Sequence, residues 1–344
     1  MKAILFDEFG GPEVLRYGDV PDPVAGPGEV LVKLRAAALN HVDIDIRDGV
    51  SRFDFAMPHI LGIEGAGVVA ALGSGVTGVA VGDRVAVSYI RTCDACEWCN
   101  RGQDNLCENR RLFGEHIPGT YAQYMLAPAS HCIPLPDKVS FAEAAASLVA
   151  FGTAWHGLVA RADLTLGDIV LIHSVGSGVA SAALQICKAA GATVIATAST
   201  DEKLERATAD GADLVINYTK TNVNEAVMEF TKGHGVDIVF DVVGGTAFQQ
   251  SMFVMRPYGR LVSIGAHAGE VVDFDIIEFF RRHISYVSSH TQTRDELRHV
   301  LDLVARGTLS PRIHSTYPLE AAADAQREMA SRSAYGKIIL EIPE

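Results

Sequence analysis

At about residue 150 the chain changes rhythm, and that change restricts the fold more than any other feature. From there on, short apolar runs alternate with helical periods. Ile169-Val170-Leu171-Ile172, ending at His173, is an apolar run of the kind a strand buried on both faces of a parallel sheet requires. A helical stretch follows over 179–190, then a strand over 193–197, a helix over 201–209 and a strand over 214–216. Strands at 236–240, 260–264 and 284–288 bring the total to about six. Such alternation implies right-handed βαβ units and a doubly wound α/β sheet. Residues 1–150 instead read as short strands (29–34, 67–70, 83–87) punctuated by Gly26-Pro27-Gly28 and Val81-Gly82-Asp83. Few stretches there hold a helical period. After residue 289 mixed structure returns, with helices over 295–306 and 320–331 and a closing strand over 337–341.

The 344 residues suffice for two domains, each with its own core, and 48% hydrophobic with 21% charged residues is an ordinary globular balance. A net charge of −13 argues against nucleic acid or an anionic membrane as the main partner and leaves a small-molecule substrate. No secretory signal is read at the start, because Asp7-Glu8 interrupts the opening apolar residues. The apolar stretch over 60–82 carries Glu64 and seven glycines, which suits strands rather than a spanning helix. A cytoplasmic enzyme is expected.

After His173 comes Ser174-Val175-Gly176-Ser177-Gly178-Val179-Ala180, a turn that opens a helix. Small residues let the backbone approach a pyrophosphate, and the helix N-terminus offers unpaired N–H groups to its oxygens. With a strand before and a helix after, dinucleotide binding at Gly176, Ser177, Gly178 and Val179 is expected. An NAD-selective site places an acid at the end of the second strand, but here the window reads Ala196-Thr197-Ala198-Ser199-Thr200, with no acid before Asp201. The hydroxyls of Ser199 and Thr200 together with Lys203 suit a 2′-phosphate, so NADPH is expected over NADH.

Cys93-x2-Cys96-x2-Cys99-x7-Cys107 supplies four thiols within one short polar lobe. The spacing suits tetrahedral zinc, and four sulfurs leave no open coordination position, so the metal is read as structural. Cys132 and Cys187 are read as small hydrophobes.

Together these residues resemble the medium-chain dehydrogenase/reductase superfamily, which includes zinc alcohol dehydrogenases and quinone oxidoreductases. The likeness runs through Gly62-Ile63-Glu64-Gly65-Ala66-Gly67, Val81-Gly82-Asp83-Arg84-Val85, the cysteine lobe, Gly119-Thr120-Tyr121-Ala122, the glycine turn, Asp241-Val242-Val243-Gly244-Gly245 and Gly336-Lys337-Ile338-Ile339. It implies a GroES-like β-rich catalytic domain over 1–150 and 289–344, an inserted Rossmann domain over 151–288, and an active site in the cleft between them. Family members that oxidise alcohols hold a second zinc on a Cys, a His and a Cys or Asp. The matching positions here are Asn40, Ile63 and Val149, and the proton-relaying Ser or Thr is replaced by Val42. Two aliphatic side chains cannot ligate a metal. Without that ion an alcohol lacks the help it needs to ionise near neutral pH. Reduction of an already polarised acceptor, a quinone or an α,β-unsaturated carbonyl, makes a smaller demand.

The resemblance also assigns candidate roles. Asn40, Tyr89 and Thr153 are the candidate catalytic positions. Asn40 would hydrogen-bond the substrate oxygen, Tyr89 would orient substrate or line its pocket, and Thr153 would pack near the nicotinamide. Cofactor contacts are expected from His41, Thr153, Tyr218, Val243, Ile264, Gly265 and Lys337 beside the glycine turn. Asp43 and Glu64 are expected to pair with a cation such as Arg47. Two other readings are an alcohol or carbonyl dehydrogenase with an atypical second zinc at His41 and His59, and a non-catalytic NADPH-binding protein. The strand over 284–288 falls at the sheet edge, where relatives pair copies, so a homodimer or homotetramer is expected.

Overall fold

The computed structural model describes residues 1–51 and 54–343. The chain divides into two compact units, one of Met1–Val149, Thr293–Gly307 and Pro311–Glu344, the other of Ala150–Gln292 with Thr308–Ser310.

Among the described residues, the second unit is built on a six-stranded sheet in the order Leu214–Asn217, Thr193–Ala198, Ile169–Ile172, Val236–Asp241, Met255–Ser263, Ser285–Ser288. Every neighbouring pair is parallel. Chain order reverses at Ile169–Ile172, whose successors lie on opposite sides of it, and such a switch point opens a crevice at the strands' carboxyl ends. Val170, Leu171 and Ile172 are wholly buried. The strand expected at 260–264 begins at Met255, five residues earlier, after a register shift between Val236 and Ile238. Gly259 and the strained Tyr258 (φ 64°) hide this extension from an apolar count. Ser285–Ser288 forms the sheet margin, with Tyr286 half exposed.

Among the described residues, the first unit carries a seven-stranded, largely antiparallel sheet. Glu29–Ala38 lies at its centre, paired with Glu64–Leu72, Tyr124–Pro128 and Lys337–Glu341. The last of these brings the C-terminal strand beside the N-terminal ones, which is how Lys337 reaches Asn40. The fold is thus a GroES-like β-rich domain plus a Rossmann-type parallel sheet. The β half holds more helix than its rhythm suggested. Phe141–Ser147 is started by Ser140, whose hydroxyl accepts from the Glu143 N–H while the Glu143 carboxylate accepts from the Ser140 N–H. That Ser-x-x-Glu capping box is a sequence signal. The helix expected over 320–331 splits into a 3₁₀ turn, Leu319–Ala321, and an α-helix, Ala322–Ala330.

Candidate active site and metal centre

In the cysteine lobe the four Sγ atoms lie within 4.8 Å of one another. Among the described residues they form the one group of three or more His, Cys, Asp or Glu side chains with converging ligand atoms. Sγ of Cys96 and Cys99 are 3.6 Å apart, and those of Cys93 and Cys107 are 3.5 Å apart. A tetrahedron with about 2.3 Å metal–sulfur bonds has an edge of about 3.8 Å, so the donors fit zinc. Backbone N–H groups of Cys93 and Cys96 donate to neighbouring sulfurs, as thiolate ligands require. Arg294 clasps the lobe from the helix Arg294–Ala305: its guanidinium pairs with Asp104 and, at 2.7 Å, with Asp94. Cys132 and Cys187 are buried elsewhere, and burial pushes the Cys132 thiol up to about 12.

The glycine turn stands at the carboxyl end of Ile169–Ile172. Ser177 caps the helix Gly178–Ala189 by accepting from the Ala180 N–H. A Cβ on Gly176 would meet the Lys203 side chain at 2.8 Å, so Lys203 lies across the turn itself. Asp201, the nearest acid, is occupied by Lys220 and by the Asn217 amide. Thr200 caps its helix toward Lys203, and Ser199 and the half-exposed Tyr218 flank it. Val243 lies just beyond Val236–Asp241, its N–H held by Asp241 at 2.9 Å. Ile264 and Gly265 follow Met255–Ser263, with the Ile264 N–H on the Asp241 carbonyl. Thr153 is buried on the helix Ala150–Trp155 of the same unit.

In the first unit, the positions matched to metal ligands are occupied differently. Ile63 packs with Tyr89, Ile90 and Leu112 in an apolar cluster that Val42 and Val149 join. Asn40, expected to reach a substrate oxygen, has its amide engaged within the protein. Its Nδ2 donates to Glu64 (2.8 Å) and to the Ala38 carbonyl, and its Oδ1 accepts from Lys337 (2.7 Å). Lys337, expected to touch cofactor, is buried and also donates to the Leu39 carbonyl and to Glu64 at 2.6 Å. An ammonium has three protons, and all three are placed. Arg47 is not the cation that meets the acids: it binds Asp48, Gln326 and the Gly10 carbonyl, while Lys337 serves Glu64. Burial explains the exchange, since wholly buried Glu64 needs a partner, and Lys337 reaches it from the strand on the far side of Glu29–Ala38. The His59 ring bonds the Gly114 carbonyl, and exposed His41 opens the helix His41–Arg47.

Two acids here hold protons unusually well. Asp43 accepts from the Tyr121 hydroxyl (2.8 Å) and from the Asn40 and Gly62 N–H groups, yet burial pushes it up to about 6. Glu115, which sequence reasoning passed over, is 5% exposed, and its Oε2 has no hydrogen-bond partner among the described residues. Burial, then the Asp43 charge, pushes it up to about 8. A lone Glu in Phe113-Gly114-Glu115-His116-Ile117 carries no periodic signal; only the apolar neighbours hint at burial. Between pH 4.5 and about 8 the native chain keeps a proton on Glu115 that the unfolded chain has lost. Stability should therefore fall as pH rises through that window, by up to roughly 1.4 kcal/mol per unit from this group. Glu115→Gln should flatten the profile, and parallel melting-temperature profiles for the two proteins would refute this.

Two family models match the chain: the alcohol dehydrogenase GroES-like domain over residues 26–137 and the zinc-binding dehydrogenase domain over 178–306. An alcohol dehydrogenase of Geobacillus stearothermophilus is 32% identical, covering 99% of this chain and 100% of that protein. A quinone oxidoreductase of Pseudomonas aeruginosa is likewise 32% identical, covering 98% and 99%. The crystal structure of an NAD-dependent alcohol dehydrogenase superposes with a TM-score of 0.96 at 41% identity over the whole of both chains.

Proposed function

Since the chain belongs to the zinc-type medium-chain dehydrogenase/reductase superfamily and is an NAD(P)H-dependent oxidoreductase of that family, we propose that it reduces a quinone or an α,β-unsaturated carbonyl with NADPH, without a catalytic zinc. The observation that carries this reading is the apolar cluster of Ile63, Val149 and Val42 beside an Asn40 amide already spent on Glu64 and Lys337. Aliphatic side chains have no donor for a Lewis acid, and an alcohol's ionisation depends on one. An electron-poor carbon accepts a hydride without that help, and NADPH, when bound, supplies it.

The chain's own groups divide the remaining work. The turn over Gly176–Gly178 and the helix behind it hold the pyrophosphate. Lys203, lying over Gly176, meets the 2′-phosphate, with Ser199 and Thr200 adding hydroxyls. Tyr89 and Leu112 wall the substrate and exclude water. One similar structure is of an NAD-dependent enzyme, so the preference for NADPH rests on residues 196–203 of this chain. Copies pair through the margin strand Ser285–Ser288, where Tyr286 and, on the adjoining helix Ile276–Arg281, Ile276 and Phe280 are exposed.

NADPH oxidation should be supported by enones or quinones and not driven backward by simple alcohols. Lys203→Ala should raise the KM for NADPH about tenfold, the worth of one charge-assisted hydrogen bond, and leave that for NADH unchanged. Alcohol oxidation lost on adding a chelator would remove the proposal, and a monomer in sedimentation would remove the pairing.

A further inference from the structure

The geometry points to Glu115 as the carrier of the proton that the reduction consumes. This rests on the proposed reduction and supplies what that reading lacks, since hydride addition to an enone or quinone leaves an anion that must be protonated. Glu115 belongs to the turn that closes the apolar cluster: its N–H and that of His116 both point to the Leu112 carbonyl. Its neighbour Gly114 (φ 76°) packs so closely that a Cβ there would lie 2.4 Å from the Gly62 oxygen. From the other side Asp43 accepts from the Gly62 N–H at 3.2 Å. Asp43 and the Gly114–Glu115 turn thus lie on either side of Gly62, next to Ile63, the position the family resemblance matches to a metal ligand.

A buried structural carboxyl is almost always hydrogen-bonded, and one left with a bare oxygen calls for another explanation. Glu115 Oε2 is such an oxygen. The charges acting on Glu115 are Asp43, which favours the protonated form, and the weaker, opposing Arg110. Around Asp43 stand Tyr121, Glu64 and Lys337; His59 bonds the Gly114 carbonyl, and His116 is held below its usual range by burial and by Arg111 and Arg110. Among the described residues no group bonds Glu115 Oε2, so a proton on that oxygen is available to a ligand. In the step, the acceptor's one carbon gains the hydride that NADPH supplies. The O–H bond of Glu115 breaks, its electron pair stays on the carboxylate, and the proton forms the new C–H or O–H bond of the product. A solvent proton then recharges Glu115, so each turnover consumes one proton from the medium, and repulsion between the new carboxylate and Asp43 favours this uptake.

Glu115→Gln keeps the shape and removes the proton. Its kcat with an enone should fall at least about 100-fold, the usual worth of a positioned acid, with the NADPH Kd unchanged. The decline of wild-type kcat above pH 8 should vanish in the variant. In the cofactor-free protein, the infrared carbonyl band of a protonated carboxyl at neutral pH should be present in wild type and lost in E115Q. Glu115→Asp, which withdraws the acid by one methylene, should show an intermediate kcat, and it decides the matter if E115Q does not fold. Wild-type kcat in either folded variant, or a band that persists in E115Q, overturns the assignment while leaving the reductase reading intact. A wild-type protein that reduces no acceptor overturns that reading and this one with it.

Discussion

Cys107→Ser is expected to release the zinc and to destabilise the chain by on the order of 4 kcal/mol, within the range that loss of a metal reaches. The lobe gives the reason. Between Cys93 and Cys107 the side chains are mostly polar (Asp94, Glu97, Asn100, Arg101, Gln103, Asp104, Asn105), so no apolar core replaces the metal. Its regular structure is a four-residue helix, Glu97–Asn100, and a three-residue turn, Asp104–Leu106, both too short to persist alone. Cys107 is the buried member of the four, so a hydroxyl there removes one ligand and leaves three sulfurs crowded without a cation. Arg294 then loses a rigid partner, because Asp94 and Asp104 both sit on the lobe. Elemental analysis should give about one zinc per chain in wild type and little in the variant, with a lowered melting temperature. Retained zinc, or an unchanged melting temperature with zinc gone, contradicts the structural assignment. Arg294→Ala should act in the same direction more weakly, as it leaves the ligands in place.

What the sequence disclosed follows the reach of each interaction. The Rossmann strands and the helix Asp201–Ala209 are legible because apolar runs and caps are local. The four cysteines are legible because metal spacing is also local. Lys203 over Gly176 is half legible: the residue types are readable, their contact is not. The network at Asn40 is not, since Lys337 arrives from 297 residues away through the pairing of the C-terminal strand with Glu29–Ala38. Arg47 is nearer in sequence and carries the same charge, and only the fold decides between them. Glu115 escapes for another reason: its meaning lies in an absent partner, which no motif records.

Lys337→Met should destabilise the protein by roughly 3–5 kcal/mol, the cost of leaving a buried charge without its partner. Glu64 is wholly buried, and Lys337 is 6% exposed. Together with Asn40 they satisfy one another: Glu64 accepts from Lys337, from Asn40 and from the Val149 N–H, and Lys337 fills the Asn40 oxygen. An exposed pair such as Lys2–Asp19 is screened by water and contributes little, so burial sets the size of the effect. The double variant Lys337→Met with Glu64→Gln should recover much of the loss, because it removes both charges; chemical denaturation of the four proteins gives the coupling. Additive losses in the double variant would show that Lys337 contributes through its packing alone. A large coupling would mean that the buried charge of Glu64 is balanced internally, by an ammonium that the fold itself supplies from the C-terminal strand.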